Sequence, residues 1–179
     1  MLALLVSIAP VLAEELSPTI KREAQKCADA LVKSDLDGVV LYTHKRVIEG
    51  MGGKEAMTAT IKRGMEQMKA QGVAIEKATV GEPGKTQKVD TWTVVLVPNE
   101  IFMKVPDGKL EQDSHLPGIS EDDGKTWAFI DVGNISQQQL DQIFPELAGK
   151  VDLPEKQKPV FKKDEKGLVG GGDFGARIW

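Results

Sequence analysis

The chain has 179 residues, with 23 Lys and Arg against 27 Asp and Glu, for a formal charge of −4. That length calls for one domain at roughly 150 residues each; 41% hydrophobic and 28% charged residues exclude disorder throughout and a membrane bundle. The mild acidity excludes the concentrated basic face that nucleic acid requires, and a single cysteine with two histidines excludes an intrachain disulfide framework and the usual zinc sites.

Residues 1–13, MLALLVSIAPVLA, carry no charged side chain. This apolar run is too short for a bilayer, which needs about 20 residues. Val11 and Ala13 occupy the −3 and −1 positions of a signal-peptidase site, and Glu14-Glu15 follows. The segment therefore reads as a secretory signal, although no Lys or Arg follows Met1. Cys27 lies too far downstream to carry a lipoprotein anchor. The expectation is a secreted or periplasmic protein with no stable membrane anchor, a domain over 14–149 and a flexible tail over 150–179.

Ser17-Pro18 supplies a helix cap and a first-turn proline. Ile20, Ala24, Cys27, Ala28 and Leu31 then recur at helical spacing, which makes Cys27 a small buried hydrophobe. A short helix is expected after Asp35, with Leu36, Val39 and Val40 inward. A long one runs from Lys54 to Gln71 after Gly52-Gly53, with Met57, Ile61, Gly64, Met65 and Met68 on its apolar face and Lys62, Arg63, Glu66 and Lys69 largely on the wet side.

After Gly72 the period falls to two. Val73–Val80, Thr86–Val97, Glu100–Val105, Lys109–Leu116 and Thr126–Val132 read as strands. Short connections at Pro98-Asn99, Pro106–Gly108 and Glu121–Lys125 make neighbours antiparallel. A last helix starts at Ser136 with Gln139 as its capping-box partner, has Leu140, Ile143 and Phe144 inward, and ends at Pro145. The prolines and the Gly170–Gly172 run discourage regular structure beyond residue 150, apart from local anchoring at Val160-Phe161 or Ile178-Trp179.

Helix, short helix, long helix and then a curled sheet of about five antiparallel strands make the class α+β, with an added C-terminal helix and tail. This order, together with the segment THKRVIEGMGGKEAM (Thr43 to Met57), resembles the nuclear-transport-factor-two-like superfamily, which includes ketosteroid isomerases and SnoaL-type cyclases; the resemblance implies an α+β cone of the cystatin-like kind. The resemblance covers residues 17–133. It implies a sheet wrapped around the long helix, with a pocket between helices and sheet. It does not carry catalysis across, because the isomerases place an oxyanion-donating tyrosine on the first helix and the only tyrosine here, Tyr42, falls on the second.

The motifs reduce to structure. Ser120–Trp127 matches the S-x-D-x-G-x-T-W Asp box, whose single copy reads as a well-made hairpin turn. Asp35–Gly38 fails as a calcium loop, since the register puts Lys33 and His44 where carboxylates are needed. Asp173–Gly175 lacks every other kinase element. Met51, Met57, Met65 and Met68 suit core packing or a deformable pocket wall better than copper.

Three function classes follow. A binding module would hold a small apolar or amphipathic ligand among Tyr42, His44, Met57, Ile61, Trp92 and Phe102, with no metal or cofactor. An isomerase, cyclase or dehydratase would use the same pocket with an acid/base residue, for which His44, Glu49 and Asp113 are the candidates; His44 with Glu49 is the sharpest pair, and Asp90 and Asp113 lie in strand-like segments. An interaction module would form a homodimer through the sheet.

Overall fold

The computed structural model describes residues 9–133 and 135–163, with side chains from Leu16 onward. The expected leader over 1–13 lies outside the described residues save for the backbone from Ala9, as do Gly170–Gly172, Asp173–Gly175 and Ile178-Trp179 altogether. The fold is α+β, with N-terminal helices, a curled antiparallel sheet forming a half-barrel and a C-terminal helix. No described helix is long and apolar enough to cross a membrane.

The first helix, α1, spans Ala9–Val32, so Pro18 sits inside it rather than at its first position. There it removes one i→i−4 bond and its ring crowds the preceding turn. Its stripe of Ile20, Ala24 and Ala28 is buried. Asp35 caps α2 (Leu36–Tyr42) by accepting from the Gly38 N–H at 3.0 Å. An unexpected short helix, α3 (Lys45–Gly50), is capped by the His44 ring. The long helix α4 (Lys54–Ala70) starts beyond Gly52 and Gly53, whose φ of 89° and 96° favour glycine.

The sheet is built on one hairpin. β3 (Trp92–Val105) and β4 (Gly108–Ser120) pair along their whole length around Pro106-Asp107. β1 (Ala74–Val80) and β2 (Gln87–Val89) share the outer edge of β3; β5 (Ala128–Phe129) and β6 (Val160–Lys163) share that of β4. A register shift between Ile75 and Lys77 helps the sheet to curl.

Four strand boundaries differ from expectation, and in the first β4 runs on past Leu116 to Ser120. Pro98-Asn99 is not a turn, because Pro98 falls at a non-bonded position of the β3–β4 ladder. Its carbonyl points to the other edge, where it accepts from the Gly81 N–H at 2.9 Å, and its missing N–H falls in the break between β2 and β1. The stretch Thr86–Val97 is broken instead by a turn at Asp90, whose φ is 53°, so Asp90 is a turn residue and not a strand residue. Of Thr126–Val132 only Ala128 and Phe129 join the sheet, because Thr126 is held by the turn before it.

Alternation along β3 makes two cores, one on each face. Val95 and Val97 meet Ile20, Ala24 and Ala28 of α1, with Leu116, Trp127 and Phe129. Trp92 and Val94 meet Leu140, Phe144, Leu147 and Val151 on the other face, supplied by α5 (Gln137–Ile143) and the 3-10 turn Pro145–Leu147. The helix against the sheet is therefore α1; α4, expected in that place, packs on α2 and α3. The resemblance implied α4, but α1 carries the small alanines that allow close approach to β1. Gln25 of α1 also completes the β1 edge, donating to the Ala78 carbonyl and accepting from the Val80 N–H, each at 3.0 Å.

The Asp box forms as its residue types dictate. The Ser120 hydroxyl accepts from the Gly124 N–H at 2.8 Å, and Asp122 accepts from both the N–H and the hydroxyl of Thr126, at 2.9 and 2.7 Å. These bonds, the Thr126 N–H first, hold the Asp122 carboxyl at about 2. The Trp127 indole donates to the Gly124 carbonyl at 3.0 Å. Leu16 of α1 rests on Gly124 so closely that a Cβ there would lie 2.7 Å from its Cδ2. The motif is thus a seat for the first helix.

Candidate functional site

The side chains expected to line one pocket are spread over the molecule. Trp92 and Phe102 stand ten residues apart on β3, about 33 Å at the rise of a strand, Trp92 in the α5-side core and Phe102 beneath the Lys77 ammonium, 5.4 Å from its ring centre. Tyr42 packs beside the α1-side core, and its hydroxyl donates to Glu23 at 3.4 Å. Met57 is buried at the start of α4 and Ile61 half-buried one turn on.

His44 is only 3% exposed. Its ring packs edge-on against Phe144 at 4.9 Å and Trp92 at 5.9 Å. Nδ1 accepts from the Arg46 N–H at 3.2 Å, which places the ring proton on Nε2, 3.6 Å from Glu121. Glu49 is exposed on α3, and the His44–Glu49 pair does not form. Around the imidazole, Lys45 reaches Glu121 at 2.6 Å and Arg46 grips Glu146 with two bonds of 2.7 and 2.8 Å. The Arg46 guanidinium holds the Glu146 carboxyl at about 2. Every charge here has a partner, and the imidazole serves as a helix cap.

Burial, more than the opposing pull of Glu121, lowers the His44 pKa below its ordinary 6.5. The unfolded chain then takes up a proton near pH 6.5 while the folded imidazole stays neutral until lower pH. Stability is full above 6.5 and falls with pH below it, levelling once the folded group also protonates. His44→Asn, which keeps a capping oxygen and removes the titration, is expected to flatten this part of the curve. Urea denaturation of both proteins from pH 8 to 4.5 checks it; parallel curves would contradict it.

Asp113 is exposed on β4 opposite Glu100. With His115 it borders a groove beneath the C-terminal segment 153–159. Cys27 is set against the α1-side core, and burial pushes its thiol up to about 12, which removes it as a nucleophile. Among the described residues no three His, Cys, Asp or Glu side chains converge as a metal site.

The apolar opening lies elsewhere. Met57 is the one buried residue among the described side chains of α4, so most of its stripe is left half-covered. Gly72, with a φ of 72°, turns the chain back into β1. A cleft of about 590 Å³ remains between Met65 and Met68 on one wall, Leu31 and Leu36 on the other, and Val73 and Ile75 at the base. Lys62, Glu66 and Lys69 form its α4 lip. Lys62 and Lys69, seven residues apart and so on one side of the helix, make no ion pair among the described residues. The methionine stripe signalled this wall in the sequence. The lysines were hidden among the residues of a solvated face, and the base needed the α4–β1 crossing. No protein-family model, curated protein or solved structure matches the chain.

Proposed function

We propose that the protein is a small-ligand-binding module, an exported one of the nuclear-transport-factor-two-like kind, and that it takes an amphipathic anion in the α4 cleft. The leader pattern of residues 1–13 supports export, and the order of helices before a curled sheet supports the kinship. The observation that carries the binding reading is the cleft itself. Its volume of about 590 Å³ falls within the roughly 300–1,000 Å³ of small-molecule sites. Flexible methionines form one wall and adapt to a chain of variable shape. Lys62 and Lys69 sit at the lip, where a carboxylate or sulfate head would stay partly hydrated while its tail is buried.

Titration calorimetry with decanoate and decanol tests this. Decanoate is expected to bind; Met65→Asp, which puts a charge into the wall, weakens it by about tenfold or more. The double change Lys62→Gln with Lys69→Gln weakens decanoate and leaves decanol unaffected. Absence of binding, or binding indifferent to Met65→Asp, would refute the reading.

A further inference from the structure

The outer edge of β4 is covered at both ends and open in the middle. β6 pairs with Gly108–Glu111, and β5 with Gly118 and Ile119. Which backbone groups face this edge follows from the hairpin. The tight turn makes Val105 and Gly108 a bonded pair, so odd-numbered residues of β4 point their N–H and C=O away from β3. Two bonds agree: the Pro98 carbonyl, opposite His115, turns to Gly81, and the Pro117 carbonyl accepts from the Ile130 N–H at 3.0 Å on the outer side. Asp113 and His115 therefore present their N–H and C=O groups outward, and these have no partner among the described residues.

The segment 152–159, which leads into β6, passes this interval without joining it. Gln137 holds its base towards α5, donating to the Val151 carbonyl at 3.0 Å and accepting from the Leu153 N–H at 2.8 Å. Between it and β4 lies a cavity of about 510 Å³ with Val132, Ile135 and Leu153 on its floor. The uncovered interval, residues 112–116, is about 17 Å long at strand rise.

We propose that this interval is a binding site for extended peptide main chain, which adds a short strand between β6 and β5. Donors and acceptors that alternate at strand spacing are complemented by another extended backbone, and the apolar floor suits β-branched side chains on the inward positions of such a peptide. The site is separate from the α4 cleft. The segment 152–159 competes for it as a strap: continued in the β6 register of Glu111 with Val160, Lys158 would face Asp113 and Lys156 would face His115, with Pro159 at a position that needs no N–H.

Amide hydrogen exchange and ¹⁵N-resolved spectra of the full chain, with the blocked peptide acetyl-Thr-Val-Thr-Val-Thr-amide, test the proposal. The Asp113 and His115 amides are expected to exchange freely in the free protein and to shift and slow by about tenfold or more with peptide. The same peptide N-methylated at its three central amides should leave them unchanged. His115→Pro, which removes an outward N–H without touching the β3 ladder, should weaken binding by about tenfold; if that variant does not fold, the methylated peptide still decides. Protection of both amides in the free protein, whether by the strap or by a second copy, overturns the proposal. So does equal binding of the two peptides, or no response at millimolar peptide.

Discussion

Phe144→Ala is expected to lower the unfolding free energy by about 3–5 kcal/mol, the cost of emptying a fully buried aromatic site. Phe144 is completely buried. Its ring joins three elements, standing edge-on to His44 at 4.9 Å and to Trp92 at 6.2 Å, with the Arg46 guanidinium 5.9 Å from its centre. Truncation leaves a void beside a neutral imidazole that cannot readily collapse, since His44 is tied to α3 and Trp92 to β3. For a chain of this length the thermal midpoint should fall by roughly 6–20 °C. Urea denaturation checks the value, and Phe144→Leu should recover most of it by restoring volume. A loss below about 1 kcal/mol would mean that the α5-side core does not unfold together with the α1-side core.

Gly118→Ala should cost about 1–3 kcal/mol through overpacking. The backbone at Gly118 needs no special conformation, and the restriction is one of space. A Cβ there would lie 2.9 Å from Cε1 of Phe129 and 3.0 Å from Cγ1 of Val95, both almost fully buried. Phe129 fills the room above Gly118 on the face that receives α1, so large and small residues interlock across β4 and β5. Combining Gly118→Ala with Phe129→Leu should therefore destabilise less than the sum of the two changes, with a coupling of about 0.5–3 kcal/mol. Strictly additive losses in urea melts would show that the contact is not what forbids a side chain at 118.

Both effects rest on pairings that no single segment announces. Ser136 with Gln139 is a capping box that can be read from four residues, and it forms as expected. The Asp box is as local: its serine, aspartate and glycine bond within one turn, so composition decides its shape. Pro98 is the contrary case. Alone it signals a turn, and only the neighbouring strands reveal that its missing N–H faces a break in the ladder. The candidate pocket residues failed to assemble for a similar reason. Trp92 and Phe102 share an apolar character that periodicity detects, but their distance depends on Pro98 leaving the strand unbroken.

Local chemistry, then, determined the apolar stripes of α1 and α4, the Asp35 and Ser136 caps, the Asp-box turn, the antiparallel pairing across Pro106-Asp107 and the α+β class, because each depends on side-chain spacing and backbone preferences within a few residues. The choice of α1 over α4 as the helix on the sheet, the burial of His44, the α4 cleft and the open interval of β4 were decided by tertiary structure alone. They depend on which apolar stripe fits most closely against a curled surface, and on which backbone groups are left over once every neighbour has been placed. Those are differences between competing packings, and they become definite only when all the elements meet.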